Sequence, residues 1–277
     1  MIPGQVMRRI TIQLLLALDY AHYVNVIHTD KWLTLFPLKL GINCSDLFHY
    51  PPNIQPNNIF VKVRAYKLIQ SGYLSMPPIQ QDKTEKRYTV VPSRPMYRYY
   101  FEGGDRFDLF DFVLGDWGVS SWAEKHLTEL IQSVALRAPE VLIGAPWGPA
   151  ADIWSLGAAV LEMFRALRMF SGSNGGSYEV EQHLAEIVHL LGPFPADLLK
   201  KGDQELVGRV FDDRGNVKGR TPFVDRPNLT HEEFTTGLTQ EERDEFVAFL
   251  RSAMTIDPAK RPSPEDLLRG PWLRALS

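Results

Sequence analysis

Cysteine is nearly absent: Cys44 is the single one in 277 residues. That excludes an internal disulfide framework and fits a reducing compartment, so a cytoplasmic or nuclear location is expected. Long apolar runs are missing too. No stretch approaches the roughly 18 to 20 apolar residues that a bilayer crossing needs, so no membrane association is expected. The opening MIPGQVMRRITIQLLLALDYAH sets basic residues before an apolar stretch. Asp19 and His22 interrupt it and no small-residue cleavage site follows, which argues against a signal peptide. Positive charge is not in excess either. Lys and Arg number 30 against 33 Asp and Glu, a formal net charge of −3, which leaves no footprint for direct nucleic-acid binding. No internal repeat is visible, and with 44% hydrophobic residues the chain can bury a large core.

The opening segment reads as a helix. Val6, Ile10, Leu14, Ala17, Leu18 and Ala21 recur at three- and four-residue spacing, while Arg8, Arg9, Gln13 and Asp19 fall largely off that stripe. NIFVKV at 58–63 and DLFDFVLGD at 108–116 are rich in β-branched and aromatic residues and predict two short strands that pair. Between them, residues 64–107 hold Pro77, Pro78, Pro92, Pro95, Gly103 and Gly104 and read as an irregular excursion. From about Pro149 helical periodicity dominates. Thr239 before Glu241 and Glu242, and Ser263 before Glu265 and Asp266, are helix starts in which a hydroxyl caps free N–H groups. GSNGGS at 172–177 follows a helix and lacks a Lys-Ser/Thr pair, so it reads as a flexible loop and not a phosphate cradle. The acids of TQEERDE at 239–245 read as a solvated helix face.

The stretch VIHTDKWLTLFPLKLGINCSDLFHYPPNIQPNNIF, residues 26–60, looks like one motif cut in two. Removing residues 31–53 joins Asp30 to Ile54, and Asn58 then falls five positions after Asp30. Further along come Gly115-Asp116-Trp117-Gly118 after a predicted strand, Ala138-Pro139-Glu140, Asp152-Ile153-Trp154-Ser155-Leu156-Gly157 at a helix start, and Arg261. These match, in order, the H-R-D-x-x-x-x-N, D-F-G, A-P-E and D-x-W-x-x-G motifs and the late arginine of one family.

The chain therefore resembles the C-terminal lobe of a eukaryotic Ser/Thr protein kinase, and within that family the SR-protein kinases and their fungal relatives. Thr29 in place of the usual Arg, the short segment SSWAEKHLTELIQSVALRAPEVLIG and the stretch HLAEIVHLLGPFPADLLKKG carry the finer likeness. The resemblance implies a fold that is mainly α with short β-hairpins, one kinase lobe over residues 1–277. It implies ATP and Mg2+ as cofactors and protein substrates, Arg/Ser-rich ones among them, for a monomer. Asp30 would be the catalytic base, and Asn58 and Asp116 would hold the metal against the phosphates. Ser133 would hydrogen-bond Asp30, Asp152 would brace the catalytic loop, and Arg261 would pair with Glu140. Trp117 is expected to serve core packing.

Departures accompany the matches. Within these residues there is no Gly-rich loop, no strand lysine and no partner glutamate, so the amino-terminal β-lobe is expected to be missing. Gln55 stands where the family places a lysine near the transferred phosphoryl group. Residues 31–53 interrupt the loop with Trp32, Leu33, Leu35, Phe36, Pro37, Pro51 and Pro52. They read either as an evolved lid or self-inhibitory plug, or as an in-frame retained intron, which is preferred. Two functions stand: an SR-protein-kinase-type phosphotransferase impaired in this chain, or a non-catalytic kinase-lobe module that binds proteins. A small-molecule phosphotransferase is disfavoured by A-P-E, D-I-W-S-L-G and Arg261 together.

Overall fold

The computed structural model describes residues 3–29, 59–62, 67, 69–76, 111–165, 169–173, 177–219 and 228–276. The insertion 31–53, Asp30, Asn58, Gln55, most of 64–107 and the middle of GSNGGS lie outside them.

The predicted first helix forms as α1, Gly4–Tyr23, and its buried stripe is Val6, Met7, Ile10, Leu14, Leu15 and Leu18, with Thr11 donating its hydroxyl back to Met7 O at 2.8 Å. It leads into β1, Val26–Ile27. The strands expected at 58–63 and 108–116 are β2, Ile59–Val61, and β3, Phe112–Leu114, antiparallel with Phe60 opposite Val113. A fourth strand, β4 at Ser121–Trp122, pairs antiparallel with β1. Neither pair is a hairpin. Each ladder closes a long excursion of chain, so the expected short hairpins give way to pairings fixed by the core beneath: Ile27, Ile59, Phe112 and Leu114 are buried. The described part of the excursion is also less irregular than its prolines suggest. Ile69–Tyr73 makes a π-helical turn in a stretch that proline does not reach until Pro77.

Helices follow: α2, Pro139–Leu142; α3, Ala150–Arg165; α4, Val180–Leu191; α5, Ala196–Leu199; α6, Gln204–Val210; α7, Glu232–Thr235; α8, Gln240–Ala253; and α9, Pro264–Arg269. α3 is the axis of the core, since each residue from Ala151 to Phe164 is buried. α1 and α8 pack against it. Both expected caps form capping boxes, Thr239 with Glu242 and Ser263 with Asp266. No helix among the described residues is long and apolar enough to cross a membrane. The head of the GSNGGS stretch is tied down: buried Glu186 accepts from Ser171 N at 2.8 Å and Gly172 N at 3.1 Å.

Close packing fixes the sign of two glycine substitutions. A Cβ on Gly157 in α3 would meet Met254 Cγ at 2.9 Å and Ala253 Cβ at 3.0 Å, whereas one on Gly208 in α6 meets nothing within 4 Å. Helix propensity favours Ala over Gly by about 1 kcal/mol, and overpacking costs about 1–3 kcal/mol. Urea denaturation should show Gly208→Ala more stable than wild type and Gly157→Ala less stable.

His183 gives the pH dependence. Burial holds its imidazole down to about 4, only partly opposed by Glu186, and the ring packs against Phe170. The unfolded chain therefore takes up the proton first as pH falls from 6.5 towards 4. The neutral ring's contribution is complete above the unfolded value and is lost on that descent, roughly 3 kcal/mol in all. His183→Gln should flatten the fall in stability over this window; an unchanged slope would assign it to other groups.

Candidate active site

Asp152, in the first turn of α3, organises the site. Its Oδ2 accepts the His28 backbone N–H at 2.8 Å and sits 2.9 Å from His22 Nε2, and its Oδ1 accepts the Thr29 N–H at 3.1 Å. At 1% exposure the carboxylate has lost its water, and these donors replace it. Thr29 adopts φ 55°, a left-handed conformation that a β-branched residue avoids. Three contacts hold it there. Its hydroxyl donates to Val119 O at 2.7 Å, its N–H is taken by Asp152, and its carbonyl accepts from Gln132 N at 3.1 Å. The backbone immediately before Asp30 is thus fixed from both sides.

His28 ties that loop to the second one. Its Nε2 donates to Gly115 O at 3.0 Å, and its ring meets Trp117 edge-on at 4.5 Å. Burial lowers its pKa, opposed by Asp152, the Gly115 carbonyl and Asp116. Asp116 leaves β3 in a left-handed turn, φ 59° and ψ 55°, with an exposed carboxylate that makes no hydrogen bond among the described residues. A free, solvated oxygen donor on a fixed turn fits a hard divalent cation such as Mg2+. Trp117 does less core packing than expected. It is 37% exposed and anchors through its Nε1, which donates to Leu114 O at 3.0 Å. The Phe60 ring covers Gly115, where a Cβ would collide with it.

The segment from Trp117 to Glu140 is held along its length. β4 pairs with β1, Ala123 N donates to Asn25 O at 2.9 Å, and His126 stacks on Trp147 at 3.6 Å. Its far end turns on Gln132, a residue the sequence reading passed over. Gln132 is buried at φ 66°; its Nε2 donates to Ala151 O and Ser155 Oγ, both at 2.8 Å, and its Oε1 accepts from Ala138 N at 2.8 Å. The Ser133 hydroxyl is buried without a partner among the described residues, and its expected acceptor Asp30 lies outside them. Arg261 donates to both carboxylate oxygens of Glu140, at 2.7 and 2.6 Å, and to the carbonyls of Ala150, Thr255 and Ile256.

The sequence reading also missed His22, Arg9 and Gln13. Gln13 Oε1 accepts the Phe112 N–H at 2.5 Å and Arg9 pairs with Asp111 at 3.0 Å, so two polar residues one helical turn apart on α1 clamp β3. Their four-residue spacing was the available signal, though they were placed only as falling off the apolar stripe.

The family profile for the protein kinase domain matches residues 108–273. The chain is similar to the serine/threonine-protein kinase SKY1 of Saccharomyces cerevisiae, 32% identical over 170 residues, 60% of this chain and 22% of that protein. It is similar to the serine/threonine-protein kinase SRPK of Physarum polycephalum, 27% identical over 281 residues, 98% of this chain and 61% of that protein. It is also similar to SRSF protein kinase 3 of Mus musculus, 36% identical over 173 residues, 60% of this chain and 29% of that protein. The chain thus spans between about a fifth and three fifths of the length of these relatives.

The Arg261–Glu140 pair has no side-chain exposure at either end. Arg261→Met strands a desolvated carboxylate and should cost about 3–5 kcal/mol, whereas removing both charges, with Glu140→Leu added, should recover most of that loss. Chemical denaturation of the three proteins measures it; a double variant no better than the single one would mean that the carbonyl contacts of Arg261 matter more than the pair.

Proposed function

Because the chain belongs to the protein kinase family, we propose that it carries the catalytic-loop half of an ATP- and Mg2+-dependent Ser/Thr kinase of the SR-protein-kinase type. Asp30 orients the substrate hydroxyl and accepts its proton as the oxygen attacks the γ-phosphorus, while Asn58 and Asp116 hold the metal. Bound Mg2+ would neutralise phosphate charge. One observation carries the reading: His28 bonds through its backbone to Asp152 and through its ring to Gly115, so the residues leading into Asp30 and Asp116 are linked by a single side chain. On the outer face of the β2–β3 ladder, Phe60 and Val113 are 54% and 47% exposed beside Asp116, and offer an apolar floor for a nucleobase.

Substrates are proteins, with Arg/Ser-rich segments the favoured class, and the expected location is cytoplasmic or nuclear. Activation needs no phosphate on the loop. Thr29 has no charge with which to read one, and the Thr29–Val119 hydrogen bond together with the β1–β4 pairing does the ordering instead. The polypeptide of 277 residues is nonetheless impaired by this reading. It interposes residues 31–53 between base and metal ligand. The same interruption favours the second reading, a kinase-lobe module that binds proteins without catalysis.

Transfer of labelled phosphate from ATP to Arg-Ser peptides tests this. The 277-residue chain should show no measurable turnover. A version joining Asp30 directly to Ile54 and completed with the small lobe of an SR-protein kinase should turn over, should be indifferent to phosphatase treatment, and should lose about 10²–10⁴-fold in Asp30→Asn. Turnover that survives Asp30→Asn removes Asp30 from the mechanism, and a completed version without activity favours the binding module.

A further inference from the structure

α1 serves both halves of the site. Its C-terminal end runs through β1 into His28 and Thr29, and its first half carries Arg9 and Gln13, which reach β3 from far off in the sequence. The ladder shows why β3 needs that help. Alternate residues of an antiparallel strand turn their N–H and C=O groups away from the partner strand. Lys62 N donates to Asp111 O at 2.8 Å, so Asp111 faces β2 while Phe112 and Leu114 face away from it. Among the described residues β3 has β2 as its one strand neighbour, and side chains complete its outer edge. Gln13 Oε1 accepts the Phe112 N–H at 2.5 Å, and Trp117 Nε1 donates to Leu114 O at 3.0 Å.

Of the two α1 residues, Gln13 matters more. The Arg9–Asp111 pair is partly in water at both ends, where an ion pair adds little. Phe112 is buried, so its N–H depends on the Gln13 oxygen. β3 ends at Leu114, two residues before Asp116, and the intervening Gly115 is held through its carbonyl by His28. Asp116 therefore takes its place from β3, and the outer edge of β3 takes its place from Gln13. Because the same helix delivers His28 and Thr29, both loops of the site are referred to one rod. A β3 released from α1 would carry the Asp116 carboxylate away from its setting beside His28. Mg2+ demands its oxygen donors at about 2.0–2.1 Å in near-ideal geometry, so a small displacement of one donor costs affinity.

We propose that Gln13 is a positioning residue for the metal: by closing the outer edge of β3 it fixes the turn from which Asp116 binds the cation. This rests on the phosphotransferase reading, in which Asp116 is a metal ligand, and adds the side chain that sets the ligand's place. Gln13 is neutral, so it acts on the position of the donor and not on the charge of the site.

The probe is Tb3+, a hard, oxygen-seeking ion whose luminescence a nearby tryptophan sensitises, titrated into the full 277-residue chain with tryptophan excitation. Trp117 adjoins Asp116, and the signal lost in Asp116→Asn defines binding at the site. Gln13→Met keeps a linear, helix-forming side chain without the amide oxygen. It should weaken that binding about tenfold or more, the usual loss when a metal ligand's support is removed. Gln13→Asn, one methylene shorter, should also lose affinity and serves as the second variant if Gln13→Met does not fold. Gln13→Glu keeps an acceptor oxygen at the same reach and should bind as wild type does. Asp203→Ala removes the side chain that caps α6 through Leu206 N, loosening the fold away from β3, and should also bind as wild type does. Without metal, Gln13→Met should quicken amide exchange at Phe112 and Asp116. Undiminished affinity in Gln13→Met and Gln13→Asn overturns the positioning role and leaves Asp116 as a metal ligand. A loss in Asp203→Ala or in Gln13→Glu equal to that in Gln13→Met overturns it too, because general loosening or the mere change of side chain would then be the cause. A wild-type chain with no Asp116-dependent signal overturns the metal role of Asp116 in the phosphotransferase reading, and the inference with it.

Discussion

The carboxylate of Asp152 is the constraint on which the rest of the site depends. A charge at 1% exposure is tolerable only when its oxygens are answered, and here His22, His28 N–H and Thr29 N–H answer them. Its place in the first turn of α3 adds the favourable end of a helix dipole. The two amides that it holds belong to consecutive residues, and at the second of them, Thr29, the chain turns into the left-handed region at φ 55°. The strained residue next to Asp30 thus has its own N–H held by a buried charge. Strain of this kind typically stands at about 1–3 kcal/mol and persists only where the surroundings over-determine it.

A second brace works on the opposite principle. Arg261 and Glu140 are both buried, and each supplies the other's counter-charge with two parallel bonds, so the pair needs no strain in the backbone it fastens. It joins the α8–α9 connection to the end of the activation segment, while Asp152 joins α3 to the catalytic loop. Gln132 lies between the two braces. Its amide side chain spans Ala151, Ser155 and Ala138, and its backbone meets Thr29, so a neutral group relays position between the two charged ones.

How much of this was legible depended on range. The α1 stripe, the pairing of the strands at 59–61 and 112–114 and both capping boxes were readable, because each is written within a few residues or in a two-residue alternation. The residues that organise the site were readable only through motif order. Periodicity assigns Asp152 and Arg261 nothing, since one stands in a helix buried on every side and the other just after the short 3-10 turn Pro258–Lys260. Gln132 and His22 carried no signal at all: a glutamine in a loop and a histidine near a helix end are ordinary until the fold brings distant carbonyls and carboxylates to them. Trp117 was misjudged in degree, because its ring finds His28 instead of an apolar pocket and remains partly in water. Asp30 and Asn58, to which the proposed reaction assigns base and metal ligand, lie outside the described residues and were legible only through motif order.

Thr29 connects the two levels. Where the family commonly places an arginine, the loop must wait for a phosphate to neutralise a buried cation before it is ordered. A threonine there carries no cation. The hydroxyl that replaces it is short enough to bond Val119 O directly at 2.7 Å, which pins the start of the activation segment to the catalytic loop with a neutral hydrogen bond. Such a bond is insensitive to salt and to phosphatases, and its strength does not change between physiological pH values, since neither partner titrates there. The catalytic loop is consequently tied forward to Val119 by a neutral side chain, and back to Asp152 and Gln132 through the backbone N–H and carbonyl of the same residue.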